Sequence, residues 1–181
     1  MHEQSIALLN RAVADELSAV HQYMYFHFHC DDQGYDLLAG LFKQTAIEEM
    51  LHIERLAERV LFLKGDVEMV AAAPVQAIQD VGKMLECARQ MEEDSAKQYN
   101  QWANECGANA DAVSKKLFEE LVADEERHYD QYDTELENMA KFRNVVVHHY
   151  DKVDESIVID ILRTHLKEFE SFKKAILRAL K

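Results

Sequence analysis

Two Glu-x-x-His motifs, Glu49-Met50-Leu51-His52 and Glu125-Glu126-Arg127-His128, hold the residues of this chain best suited to chemistry. Residues three apart share a helix face, so each motif presents one carboxylate and one imidazole to a common ion. A single motif carries little weight, because a glutamate-rich chain with 9 histidines meets that spacing by chance. Register adds the weight. Glu16 lies 33 residues before Glu49, and Glu92 lies 33 before Glu125. Tyr23 follows Glu16 by seven residues and Tyr99 follows Glu92 by seven, each preceded by a glutamine, Gln22 or Gln98. The halves therefore read as a repeat offset by 76 residues. For any one glutamate the bland reading is a solvated acidic face. Taken jointly, four glutamates and two histidines point to a dinuclear metal centre, because two divalent cations cancel four buried carboxylate charges that nothing else would neutralise. Carboxylate and imidazole donors without thiolate suit iron or manganese better than a structural zinc.

Such a set needs helices to carry it. Apolar residues recur at three- and four-residue spacing from Glu3 to Cys30, and Asp31-Asp32-Gln33-Gly34 ends that run. A second run from Leu37 to Leu63 stops at Lys64-Gly65, a glycine of the C-cap type. A third is expected from about Val75 to Cys106, ending at Gly107-Ala108-Asn109, and a fourth from about Ala110 to Phe142. The pattern degrades over 143–151, and Asp154 is a suitable N-cap for a fifth helix bearing Ile157, Ile161, Leu166, Phe169 and Leu180 on one face. The midpoint between Glu16 and Glu49 falls at 32–33 and that between Glu92 and Glu125 at 108–109, inside the two turns. Each antiparallel hairpin thus sets a Glu opposite a Glu-x-x-His at one height, and two facing hairpins gather all six groups. The expected architecture is all-α: one domain over 1–181, a four-helix bundle over about 3–142, then a linker and C-terminal helix over 143–181. The spacing alone leaves open whether residues 65–75 cross the length of the bundle or turn back.

Composition narrows the class. Five Gly and one Pro stand where average usage gives about thirteen and about nine, which excludes a turn-rich β-sandwich or barrel. A formal charge of -14 repels nucleic acid and anionic membrane and attracts cations. No apolar run is long enough for a membrane span. Three cysteines and an N-terminus without signal-peptide character make the cytoplasm the expected location, with Cys30, Cys87 and Cys106 as free thiols.

One glutamate from each of two helices with a Glu-x-x-His from each of two others is the donor pattern of ferritin-like di-metal carboxylate bundles. On the segments Asp15-Glu16-Leu17-Ser18-Ala19-Val20-His21-Gln22-Tyr23, Glu48 through Gly65, and Asp124 through His128, the sequence resembles the ferritin superfamily, and within it most closely bacterioferritin. The resemblance implies two antiparallel hairpins joined by a long crossover. It implies that Glu16, Glu49, His52, Glu92, Glu125 and His128 ligate two irons, with Glu49 and Glu125 bridging. It makes Tyr23 a tyrosine beside the site that can supply an electron during oxidation. It matches Met50 to a methionine that ligates a haem b between two subunits, the alternative there being an apolar dimer contact. The implied activity is ferroxidase: Fe(II) is oxidised by dioxygen or hydrogen peroxide and stored in a 24-subunit homo-oligomeric shell, with an electron donor protein and haem serving release. Gln44 departs from the family's inner-surface histidine, and the stretch 143–181 is longer than the family's usual tail. Two other readings compete. A dinuclear peroxidase or catalase of rubrerythrin type uses the same bundle, although no Cys-x-x-Cys pair supplies a rubredoxin module. A metal-free helical interaction module would need none of the six residues.

Overall fold

Helical periodicity with few chain breakers gives four helices in the computed structural model, which describes residues 2–149, with side chains to Lys141. They are α1 (Glu3–Asp32), α2 (Asp36–Phe62), α3 (Val81–Ala108) and α4 (Ala112–His149), and the described residues contain no strand. Residues 1–137 form one compact unit, which holds every contact discussed below. The second unit, 138–181, is described only as far as the end of α4 at His149, so the expected fifth helix lies outside the described residues.

The first turn follows its residues. Gly34 takes the left-handed conformation at φ 81°, and the amides of Gly34 and Tyr35 return to the carbonyls of Asp31 and Cys30 at 3.0 and 2.9 Å. α3 ends at Ala108 as expected, but at the other two helix ends the left-handed residue is not a glycine. After α2 the left-handed residue is Lys64, φ 66°, and not Gly65. Gly65 is needed for close approach instead, since a Cβ there would stand 2.7 Å from Ile6 Cγ2 on α1. After α3 the left-handed residue is Ala110, φ 57°, while Gly107 stays within the last helical turn. Asp111 then caps α4 by accepting from the Ser114 amide at 3.1 Å. Burial raises the Asp111 carboxyl, but hydrogen bonds from Ser114 and Arg59 outweigh it and hold the group at about 2.

The link from α2 to α3 is the long crossover. Its amides and carbonyls meet a polar stripe on α1 spaced four residues apart. Asn10 donates to the Asp66 carbonyl at 2.9 Å and accepts from the Glu68 amide at 3.1 Å. The Ala72 amide reaches the Ala14 carbonyl at 2.9 Å, and the Ala73 amide reaches Ser18 Oγ at 3.0 Å. Gln22 takes both backbone groups of Gln76, at 2.7 and 3.0 Å. The chain therefore runs parallel to α1. Gln22 holds the backbone of Gln76, Gln33 donates to the Gln79 carbonyl at 3.1 Å, and the Ile78 amide turns back to the Gln76 carbonyl at 2.9 Å, so α3 begins at Val81 and not at Val75, with the Asp80 side chain accepting from the Lys83 amide at 2.9 Å. At the far end, α4 continues past Phe142 to His149.

The crossover reverses the second hairpin. Cys30 meets Met84, Tyr23 meets Glu92 and Glu16 meets Tyr99, so α3 runs antiparallel to α1. Arg59 meets Asp111 and Arg55 meets Glu120, so α4 runs antiparallel to α2. Two apolar clusters fill the interior. One gathers Leu9, Val13, Leu56, Val60, Trp102 and Phe118. The other gathers Phe26, Phe42, Met84, Leu85 and Tyr132. The four glutamates and two histidines lie along the helices between them, so water-excluding layers stand above and below the polar one.

Candidate metal centre

The structure brings together all six residues expected to ligate metal. Glu16, Glu49, His52, Glu92, Glu125 and His128 are each no more than 4% exposed. Donor atoms of Glu16, Glu49, His52 and Glu125 lie within 4.8 Å of one another, and so do those of Glu49, Glu92, Glu125 and His128. Glu49 and Glu125 belong to both groups. The Glu49 carboxylate spans the centre, with one oxygen 2.8 Å from His52 Nδ1 and the other 3.1 Å from His128 Nδ1. His52 Nδ1 also lies 3.3 Å from Glu16 and 3.3 Å from Glu125, and His128 Nδ1 lies 3.5 Å from Glu92.

These atoms are ready for a partner. Both oxygens of Glu49, Glu125 Oε1 and the Nδ1 atoms of both histidines are buried and make no hydrogen bond of good geometry. Buried polar atoms without such bonds are costly, so an inward cluster of them fits cations well. Oxygen and imidazole donors without sulfur fit iron or manganese. Two groups of four donors sharing two carboxylates could hold two ions.

Without metal, protons do the neutralising. Burial, and next the charge of Glu49, raise the Glu16 carboxyl to about 8. Burial and the charges of Glu16, Glu49 and Glu92 push Glu125 well above the carboxylate range. Burial alone would raise Glu49 too, but the imidazoles of His128 and His52 beside it outweigh burial and hold it at about 2. Burial disfavours the His128 cation, yet Glu49 and Glu92 outweigh it and raise the group to about 10. His52 is raised for the same reason, by Glu125, Glu16 and Glu49.

The tyrosines exchange partners across the repeat. Tyr99 donates to Glu16 Oε1 at 2.8 Å, and Tyr23 donates to Glu92 Oε1. Each phenol thus fixes the non-shared carboxylate of the other hairpin, and Tyr99 stands as near the site as Tyr23. Sequence reasoning favoured Tyr23, although the 76-residue repeat made the two equivalent. Asp124 was given no role either. It lies 3.4 Å from His52 Nε2, while Glu48 lies 2.8 Å from His128 Nε2. The signal was present, since an acid precedes each of Glu49 and Glu125. Met50 lies apart from the centre, 48% exposed on α2 beside the exposed Ile47 and Leu51. Gln44 is engaged locally, donating to Glu48 at 2.8 Å.

Known proteins share this arrangement. The family model for the ferritin-like domain matches residues 6–142. Bacterioferritin of Brucella melitensis is 38% identical over 136 residues, covering 75% of this chain and 84% of that protein. Bacterioferritin of Desulfovibrio desulfuricans is 36% identical over 128 residues, covering 71% and 72%. Its crystal structure, described as showing the diiron site in different catalytic states, superposes with a TM-score of 0.75 at 33% identity, covering 76% of this chain and 81% of that one. The Rhodobacter capsulatus bacterioferritin structure, described as having a metal-free dinuclear site and a haem iron, gives 0.74 at 32% identity, covering 76% and 86%. With the fold, the six converging donors and these relatives in agreement, the chain belongs to the ferritin superfamily and, within it, to the bacterioferritins.

Proposed function

We propose that this protein stores and detoxifies iron, oxidising Fe(II) at the buried centre and retaining Fe(III) inside a homo-oligomeric shell of 24 subunits. The observation that carries this reading is the pair of four-donor groups sharing Glu49 and Glu125, with their inward atoms lacking hydrogen bonds. Glu16 and His52 would hold one ion, Glu92 and His128 the other, and the two shared carboxylates both. Held as a pair, the ions supply two electrons to one oxidant, dioxygen or hydrogen peroxide, which one ion alone cannot do.

The chain's own groups set the conditions for that transfer. Tyr99 and Tyr23 hold the carboxylates of Glu16 and Glu92 inward, so the donors keep their geometry as charge changes. Tyr23, whose phenol is in direct contact with Glu92, is also placed to give an electron when only one ion is present. Burial and neighbouring carboxylates push Glu16 and Glu125 toward the protonated form, so cations entering the centre would compete with protons there. The apolar layers exclude bulk water and preserve the strength of these contacts.

Met50 fits a haem as a soft thioether donor on an outward helix face, flanked by exposed apolar side chains that a flat hydrophobic ligand would cover. A haem b there would be shared with Met50 of a second copy and would pass electrons to stored iron.

Two variants test the assignment. In His52→Ala, rapid Fe(II) oxidation should fall at least about 100-fold while the native mass of the assembly is unchanged. An unimpaired rate would remove the buried centre from the reaction. In Met50→Leu, the visible haem absorption of the purified protein should vanish while Fe(II) oxidation persists. A native dimer turning over peroxide without retaining iron would favour the peroxidase reading.

A further inference from the structure

The two halves of the centre are not alike on their outer side. Both histidines turn Nδ1 inward, so their Nε2 atoms face outward, where a metal-ligating imidazole commonly donates to a carboxylate that fixes its tautomer and tilt. The acid facing each ring comes from the opposite helix and is the residue just before a shared glutamate. Glu48 of α2 faces His128 at 2.8 Å, and Asp124 of α4 faces His52 at only 3.4 Å. Aspartate is one methylene shorter than glutamate, which accounts for the looser contact.

The supporting groups widen the difference. Glu48 accepts from Gln44 at 2.8 Å, and the same Oε2 that meets His128 accepts from Arg127 at 2.8 Å. Asp124 receives Arg127 on its other oxygen at 3.2 Å and has Arg55 at 3.5 Å. Arg127 therefore bridges the two outer carboxylates but grips Glu48 more closely. Its counterpart 76 residues earlier is Leu51, so the further cation beside the outer acid on the other side is Arg55, at the longer distance of 3.5 Å from Asp124.

We infer that Glu48 and Asp124 are positioning residues for His128 and His52, and that Arg127 makes the two metal positions unequal, the His128 side binding first and more tightly. The inference rests on the metal-centre reading proposed above and adds an order of filling to it. A pre-oriented imidazole loses less freedom on ligation, so the His128 position gains affinity, while the His52 position, held by one long contact, is the one that exchanges its ion.

Co(II) titration of the metal-free, full-length protein tests this, because ligand-field absorption reports each ion without any turnover. Two ions per subunit should bind in two resolved steps. Glu48→Ala should weaken the tighter step by about 10- to 100-fold and leave the other in place, and Glu48→Asp should restore part of the loss. Asp124→Asn should weaken only the weaker step. Arg127→Leu, which copies Leu51 at an exposed position, should bring the two steps together while circular dichroism and native mass stay unchanged. Equal affinities in the unmodified protein, or a Glu48→Ala effect on the weaker step or on neither, would overturn the inference and leave the metal centre standing. Failure of the unmodified protein to bind Co(II) would instead overturn the centre, and the order of filling with it.

Discussion

At the scale of residues, the centre is a competition between protons and cations for the same atoms. The groups raised by burial and by their neighbours, Glu16 to about 8 and His128 to about 10, are protonated at neutral pH in the metal-free protein. Metal must displace those protons, so lowering the pH favours the metal-free form and raising it favours loading. The overall constant for binding two Co(II) ions should climb by more than about tenfold per pH unit between pH 5 and pH 8, because more than one proton leaves per pair of ions. A slope near zero would mean that the raised groups do not ligate. These six residues were legible in the sequence because ligation demands fixed types at i and i+3, and the repeat states the demand twice. The outer residues were less legible. Asp124 and Arg127 act through distances between α2 and α4 that no one-dimensional spacing encodes, and a charged surface residue looks the same whether or not a histidine lies beneath it.

At the scale of elements, the places where the helices end were readable, but a glycine marks the left-handed residue at only one of the three. Gly34 was placed correctly because a left-handed residue at a C-terminus favours glycine. Lys64 and Ala110 take that conformation without glycine's freedom, and Gly65, which resembles a cap, answers instead to the proximity of α1. That constraint is tertiary and leaves no local mark. Gly65→Ala should therefore destabilise the protein by about 1–3 kcal/mol, read as a lowered midpoint in urea unfolding of the metal-free protein. In an Ile6→Ala background, where the obstructing Cγ2 is absent, Gly65→Ala should cost less. A cost of Gly65→Ala that is the same in both backgrounds would point to helix-end conformation as the cause. The crossover shows the same limit. Asn10, Ser18 and Gln22 form a polar stripe on an apolar helix, but only the folded chain reveals that it pairs with the backbone of residues 66–76. Val75 and Ile78 keep helical spacing while lying on a non-helical segment.

At the scale of the whole molecule, charge and symmetry become functional properties. A formal charge of -14 concentrates divalent cations around the protein. The initial rate of Fe(II) oxidation at subsaturating iron should accordingly fall about three- to tenfold between roughly 0.05 and 0.5 M salt. The rate at saturating iron should change far less, because the buried centre is poorly screened. Equal salt sensitivity in both regimes would place the effect at the centre itself. The four bundle helices, the hairpin turns and the common height of the donors all followed from periodicity and the repeat. The direction of the second hairpin did not, since it depends on a segment whose hydrogen bonds are made to another helix.

Because the crossover only ties together two hairpins that each bring two glutamates, one histidine and one tyrosine, the donor set is complete in any pair of such hairpins related by a twofold axis between the ions. A single hairpin paired with its own copy would satisfy the metals equally, but every residue would then be forced to serve on both sides. Joining the halves in one chain releases that constraint. Position 51 could stay leucine while position 127 became arginine, and one symmetric pocket could become two with different tasks.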